Sequence, residues 1–303
     1  MQTMNSRVQE LKEFLGRVGR AALVEVAATK GSTPREAGAF MLVSASSIFG
    51  TIGGGQLEYV AIDKARQMLR SSSLQKREGK EARIEVDEVC ATLDVPLGPE
   101  IGQCCGGRVE VLVRLVDGPL EQELIVRAEA EEAHLPHVYL FGGGHVGQAL
   151  AASLALLPIH VVVVETRADA LDGMPQTVEA RLMPMPEAVV REAPAGSAFA
   201  ILTHDHALDF LIVAEALKRD DTAYVGMIGS KTKKATFRNW FLKSAEGSEA
   251  QFGRLVSPIG GNAVKDKRPP VIAALAAAEI MTALASYASD APSAASAVKA
   301  MAG

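Results

Sequence analysis

The stretch from His137 to Ala151, HVYLFGGGHVGQALA, constrains the fold more than any other part of the chain. Apolar residues of strand character run into Gly142, Gly144 and Gly147 at the spacing G-x-G-x-x-G, and helix-forming residues follow at once. Glycines at that spacing allow a tight turn from strand to helix and leave the first helical N–H groups facing outward, where an anion can meet them. The same glycines also serve plain close packing of helix on strand. Further along, IHVVVVE, AFAILT and TAYVGMIG each lead into a turn and a helical stretch. Strands that alternate with helices pair in parallel.

These features predict a Rossmann-like parallel sheet. Glu165 closes its second strand about 20 residues beyond the turn, where such folds place an acid for a ribose hydroxyl. Arg167, two residues on, could accept a phosphate instead. Taken alone, the glycine turn and Glu165 suit an NAD(P)-dependent oxidoreductase. YVGMIGSKTKKATFRNWF repeats the theme, with Gly226, Gly229 and Ser230 leading into Lys231, Lys233 and Lys234. Cations in a first turn oppose the helix dipole. An anionic ligand or partner would explain them, and so would a solvated basic face.

The N-terminal part reads differently. An amphipathic helix with Val8, Leu11, Leu15 and Val18 on one face runs to about Arg20. AALVEVAA follows as a buried strand with Glu25 near its middle, and TKGSTPREAG is a loop by its composition. Short strands are expected at Ala39–Val43 and Ser47–Gly50. After TIGGG, helical spacing appears in Leu57, Val60, Ala61, Ala65, Met68 and Leu69. Gly53, Gly54 and Gly55 stand directly before this helix, with Glu58 in its first turn, as a candidate anion nest. Arg35 would supply the counter-charge. The same spacing is met if Glu58 complements the helix dipole and Arg35 caps a loop. Arg108–Val116 alternates as a half-buried strand does, and a charged helix then runs to Pro136. The expected organisation is an N-terminal domain over 1–117, a linking helix over 118–136, a Rossmann-like domain over 137–287 and a tail over 288–303. The last helix should begin at Pro269–Pro270, where proline suits a first turn.

Composition removes several function classes. A net charge of −5 argues against nucleic acid as a partner, since such proteins carry a basic face. The longest apolar stretch, Ala149–Val164, is broken by Pro158 and His160, so no membrane span is expected, and the charged, helix-patterned first twenty residues hold no uninterrupted apolar run of the kind a signal peptide needs. Three cysteines suit a reducing cytoplasm. Two of them are adjacent in IGQCCGGRV, Cys104 and Cys105, and the third is Cys90. A disulfide between neighbours closes a strained ring, and a zinc clip wants four ligands where no CxxC is present. A ligand-touching thiol and a buried small residue are the readings that remain. THDHALD places His204, His206 and Asp209 close together but lacks the second Asp-His pair of a metallo-β-lactamase-like hydrolase. It is expected at the carboxyl edge of the sheet and not on a metal.

Taken together, the segments resemble the XdhC/CoxI family, the accessory proteins of xanthine dehydrogenase and related molybdenum hydroxylases. GSTPREAGAFMLV, GTIGGGQLE and CCGGRVEVLV match its N-terminal pattern; FGGGHVG, VVVVETR, ILTHDHALD, YVGMIGSKTKK and SPIGG match its C-terminal part, in the family's order. GNAVKDKRPPVIAA departs from the LDIGA-type continuation of many relatives. The resemblance implies a small α+β XdhC/CoxI-type domain followed by a Rossmann-like domain. It implies a cytoplasmic, homo-oligomeric cofactor chaperone and not a turnover enzyme. Such a protein holds molybdenum cofactor in its molybdopterin form, protects it during sulfuration and delivers it to the molybdenum subunit of apo-xanthine dehydrogenase. A cysteine desulfurase supplies sulfur, and a molybdenum cofactor cytidylyltransferase is a further implied partner. Cys105 aligns with the cysteine of the family's C-G-G pattern, so the resemblance makes it the metal-touching residue, with Gly106 and Gly107 lowering its pKa and Cys104 the packed neighbour. The implied cofactor-binding set adds Arg35, Gly53, Gly54, Gly55, Glu58, Gly142, Gly144, Gly147 and Glu165.

Overall fold

The computed structural model describes residues 6–74, 90–97 and 106–290. They divide into two compact units, one over Ser6–Ala133 and one from His134 onward. Cys104 and Cys105 lie outside the described residues, as does the chain beyond residue 290.

The N-terminal unit is an antiparallel sheet covered on both faces. Helix α1 (Arg7–Val18) opens on Ser6, whose hydroxyl accepts the N–H of Gln9 at 3.2 Å, and closes at Gly19 with φ 65°. The strands are β1 (Ala22–Lys30), β2 (Phe40–Val43), β3 (Ile48–Gly50), β4 (Cys90–Pro96) and β5 (Arg108–Leu115), in the order β3-β2-β1-β5-β4. Successive side chains of a strand face opposite ways. Ala22, Val24 and Val26 of β1 join Val109, Val111 and Val113 of β5 beneath helix α2 (Gly55–Leu74), which presents Leu57, Ala61, Ala65 and Met68. Leu23 of β1 and Phe40 and Leu42 of β2 face the other way, onto Leu11, Phe14 and Leu15 of α1. Helix α3 (Gly118–Ala133) adds Leu120, Leu124 and Ala128 to that second core. The stretch read as a linking helix is therefore a layer of this unit.

Glu25, in the middle of β1, is mostly covered and cannot stay unpaired at low cost. Arg127 of α3 reaches it at 2.7 Å and also donates to the carbonyl of Gly38 at 2.6 Å, while Arg114 of β5 stands 3.5 Å away. One carboxylate thus ties two strands to a helix.

The second unit is a six-stranded parallel sheet. Its strands are β6 (His137–Phe141), β7 (His160–Glu165), β8 (Glu179–Leu182), β9 (Ala198–Ile201), β10 (Tyr224–Met227) and β11 (Leu255–Val256), in the order β11-β10-β9-β6-β7-β8. The four central strands are almost wholly buried, as strands covered on both faces must be. Helix α4 (His145–Leu154) and helix α9 (Pro269–Asp290) cover one face through Leu150, Leu154, Ala273, Ala276 and Ile280. Helices α5 (Glu187–Glu192), α6 (His206–Lys218) and α7 (Lys231–Ser244) cover the other, with Phe237 and Phe241 fully buried; a short helix α8 (Glu249–Gly253) follows. Among the described residues α9 is the one helix long and apolar enough to cross a bilayer, yet Ala277 and Leu284 also pack into this core. Glu279, in the middle of α9, accepts from the Tyr224 hydroxyl and from the Gly260 N–H at 3.2 Å, which fixes α9 to β10.

The contact between α4 and its own turn is the tightest in the unit. A Cβ on Gly147 would lie 1.9 Å from the carbonyl oxygen of Gly142. Gly147→Ala is therefore expected to lower stability by about 3 kcal/mol or more, read as a shift in the urea midpoint; a wild-type midpoint would show that the helix can back away from the strand.

Candidate site at the carboxyl edge of the parallel sheet

The strand order reverses between β6 and β9: β7 and β8 lie to one side, β10 and β11 to the other. In an open parallel sheet the loops that leave the carboxyl ends at this switch point diverge and form a crevice. Here they are Gly142–Gly144 after β6 and Leu202–Asp205 after β9.

The three glycines of the first loop do different work. Gly142 has φ 115°, and a Cβ there would sit 2.7 Å from the Leu202 carbonyl oxygen. Gly147 is required by the crossing already described. Gly144 is the N-cap of α4, has an ordinary φ of −69°, and a Cβ on it would meet nothing within 4 Å. No side chain caps that helix end. Packing explains the first and third glycines and leaves the second unexplained. What Gly144 preserves is open access to the N–H groups of the first helical turn, the place where an anion is held by hydrogen bonds and the helix dipole together.

Glu165 is not turned toward solvent for a ligand. Its carboxylate, 5% exposed, accepts the N–H groups of Gly143 at 2.9 Å, Thr166 at 2.8 Å and Arg167 at 3.1 Å. The Arg167 guanidinium adds a contact at 3.2 Å. Burial by itself would raise the acid's pKa; the Arg167 guanidinium and the three N–H groups outweigh it and bring it down to about 2. Arg167, read as a phosphate acceptor, is engaged by the same contact. The cleft between Gly142, Glu165 and His204 is nearly closed: its cavity volume of about 10 Å³ is the room one water needs.

Two motifs that are distant in sequence meet in this crevice. Asp209, from THDHALD, is fully buried; one of its oxygens accepts from the N–H and hydroxyl of Thr203 at 3.1 and 2.7 Å. The other is paired with the ammonium of Lys233 from GSKTKK, which also donates to the Ile228 carbonyl at 3.0 Å. Asp205 caps α6 by accepting from Ala207 at 2.8 Å. Among the described residues no group of three His, Cys, Asp or Glu side chains is placed to hold a metal. Lys234 donates to the Leu255 carbonyl at 3.3 Å. Of the three lysines in that turn, Lys231 stays exposed and two serve the fold. The buried pair escapes sequence reading; its one signal is an aspartate on the apolar face of HALDFLIVAEALK.

In the N-terminal unit the glycine nest already holds an anion, the chain's own. Glu58 accepts the Thr51 hydroxyl at 2.5 Å and the N–H groups of Ile52 and Gly54, both at 2.9 Å. Burial raises its pKa, and these donors reverse that to leave it lowered. Gly53 has φ 125° and sits against Pro34, so its Cβ-less backbone is a packing requirement, and Gly55 opens α2 with φ 67°. Arg35 lines a separate cleft of about 310 Å³ with Arg7, Thr51 and Arg127. Gly106 and Gly107 continue the β4–β5 ladder: the Gly106 N–H donates to the Leu97 carbonyl, and the Leu97 N–H to that of Gly107, both at 2.8 Å. The Gly106 N–H is therefore committed to the ladder. A Cβ on Gly107 would lie 2.1 Å from the Ser32 carbonyl oxygen, because the loop after β1 crosses there. Cys105 itself falls outside the described residues.

With this geometry in hand, two family models match the sequence: that of the XdhC and CoxI family over residues 15–77, and that of the XdhC Rossmann domain over residues 138–280. The chain belongs to the XdhC and CoxI family. It is also 27% identical over 270 residues to a protein of Escherichia coli K12 described as uncharacterized protein YqeB. That alignment takes in 86% of this chain and 43% of the relative, so the chain spans less than half of that protein's length. A crystal structure described as a xanthine dehydrogenase from Bacillus halodurans superposes with a TM-score of 0.73, covering 93% of this chain and 96% of the other. At 18% identity the likeness is one of fold.

Two measurements test the polar frame of this XdhC-family crevice. A depressed folded-state pKa adds stability above the unfolded value near 4.5 and loses it as pH falls toward about 2. Glu165→Gln is expected to cost about 2–3 kcal/mol at pH 7, with the gap to wild type shrinking as urea midpoints are followed from pH 6 down to pH 3. A gap that does not change with pH would mean the carboxylate charge contributes nothing. Lys233→Met leaves Asp209 buried without its cation and is expected to cost about 3–5 kcal/mol, while Lys231→Met stays within about 0.5 kcal/mol of wild type. Equal midpoints for the two variants would show the pair to be dispensable.

Proposed function

We propose that the protein is an XdhC-type accessory factor of xanthine dehydrogenase, one that binds molybdenum cofactor in its molybdopterin form, protects it during sulfuration and passes it to the apo-enzyme without turning over a substrate. The observation that carries this reading beyond family membership is the contrast between Gly144 and Glu165. The uncapped helix end at Gly144 has space and dipole for a phosphate. The acid that a dinucleotide's ribose would need is taken by Gly143 and Arg167. An NAD(P)-dependent oxidoreductase is therefore the weaker reading of the same fold. The residues present fit the phosphate end of such a cofactor: the Gly144 turn donates N–H groups, and Gly142 and Gly147 hold that turn in shape. Arg35, in the N-terminal unit, is a separate cation of the set that the family resemblance implies. When bound, the cofactor brings a planar pterin and a sulfur-rich metal centre, for which a thiolate is a matching soft ligand. That role falls to Cys105, with Cys104 as its packed neighbour. Glu58 and Glu165 act indirectly on this reading, as internal anions that hold the glycine turns around them.

The xanthine dehydrogenase molybdenum subunit is the receiving partner. A cysteine desulfurase and a molybdenum cofactor cytidylyltransferase are the partners such chemistry calls for, in the cytoplasm, with a homo-oligomer as the working form. The direct test is anaerobic purification followed by assay of bound pterin fluorescence and molybdenum, then reconstitution of apo-xanthine dehydrogenase at equal cofactor loading. Cys105→Ala should activate about tenfold less enzyme than wild type, and Cys104→Ala should stay close to it. Gly144→Val should retain about tenfold less pterin at a nearly unchanged melting temperature, because a Cβ at that position meets no protein atom within 4 Å. Equal activation by Cys105→Ala would remove the thiol from the reading. NAD(P)H turnover without pterin binding would replace the reading altogether.

A further inference from the structure

Asp209 and Lys233 form a buried ion pair, with Asp209 wholly covered and Lys233 8% exposed. Such a pair is a poor way to gain stability, because apolar side chains of the same volume do as well or better. Its remaining bonds show what it holds. One oxygen of Asp209 takes the N–H and the hydroxyl of Thr203, in the loop after β9. The ammonium of Lys233 donates to the Ile228 carbonyl at 3.0 Å, in the loop after β10. Helices α6 and α7 thus each grip the loop that leads into them, and the ion pair ties the two grips together. Gly229 leaves the lysine its passage inward: a Cβ there would lie 2.7 Å from the Lys233 Cδ.

The first of these loops is a wall of the switch-point crevice. Leu202 donates its N–H to the Phe141 carbonyl at 2.8 Å. A Cβ on Gly142 would come within 2.7 Å of the Leu202 carbonyl oxygen and 3.0 Å of the Thr203 nitrogen, so the two backbones lie directly against each other. Thr203 and His204 line the same small cleft as Gly142 and Glu165. Contacts therefore run without a gap from Lys233 through Asp209 and Thr203 to Gly142, two residues before the open helix end at Gly144. A turn that offers N–H groups to an anion must be held within about 0.5 Å of its working geometry before the ligand arrives.

We propose that Asp209 and Lys233 are positioning residues: they clamp the Thr203 loop against Gly142 and so keep the Gly144 turn in the shape that receives a phosphate. The inference rests on the cofactor reading, and the experiment separates the two. Thr203→Val, Thr203→Ser, Lys233→Met and the double variant Asp209→Leu/Lys233→Met are purified anaerobically as full chains beside wild type. Pterin fluorescence per folded protein and melting temperature are recorded for each. Thr203→Val cuts the link on the loop side and leaves the buried charges paired. It should retain about tenfold less pterin than wild type, while Thr203→Ser, which keeps the hydroxyl, should restore retention. The double variant removes both charges. It should melt above Lys233→Met, whose Asp209 is left without its cation, yet still retain about tenfold less pterin than wild type. A brace of the core alone would not behave in this way, since retention would then rise with melting temperature. Full retention by Thr203→Val or by the double variant overturns the proposal, as does retention that follows melting temperature across the set. A wild-type protein without bound pterin overturns the cofactor reading, and the positioning role with it.

Discussion

Everything at the carboxyl edge of the parallel sheet hangs on two backbones touching without side chains between them. Helix α4 can leave β6 at its observed angle only because Gly147 lets the helix meet the Gly142 carbonyl where any Cβ would collide. That close approach sets the direction of the helix end, and with it where the N–H groups after Gly144 point. Glu165 then fastens the turn to the next strand by taking the Gly143 N–H. A packing constraint, a helix dipole and a buried carboxylate are three parts of one arrangement, and loss of the first would displace the other two.

The acids that sequence patterns offer to ligands are spent inside the protein. Glu58 fills its own glycine nest, Glu165 holds the first turn, and Asp209 is sealed against Lys233. A buried carboxylate stripped of such partners would be costly, so each is held by several donors. Two features of the opposite character stand among the described residues: the uncapped N-terminus of α4 and the cleft that Arg35 lines with Arg7 and Arg127.

The architecture was largely written in periodicity. Alternation in RVEVLVRLV announced a strand with two environments, and β5 divides them between its faces. Continuous apolar runs at HVYLF and IHVVVVE announced strands buried on both sides, and Pro269–Pro270 announced the start of α9. Strands β8 and β11 were not legible: EARL and LV are too short to carry an apolar period of their own and pair because a neighbouring edge is there to receive them. CATLDVP does alternate, with Ala91, Leu93 and Val95 turned to the core, and its pairing with β5 is decided by the fold. The role of α3 was misjudged for a related reason: its composition is that of a charged linker, yet three apolar residues at Leu120, Leu124 and Ala128 suffice to bury one stripe.

The sequence by itself determined which segments become strands and helices and that a glycine turn would precede α4, because hydrophobic period and backbone freedom are local properties. It could not say which of the three glycines answers to packing and which to access, since that depends on the Leu202 and Gly142 carbonyls that surround them only in the folded sheet. Nor could it pair Asp209 with Lys233, or bring Arg114 and Arg127 to Glu25. Electrostatic partnership falls off over a few ångströms, and only the tertiary fold decides which charges, separated by tens of residues, come that close.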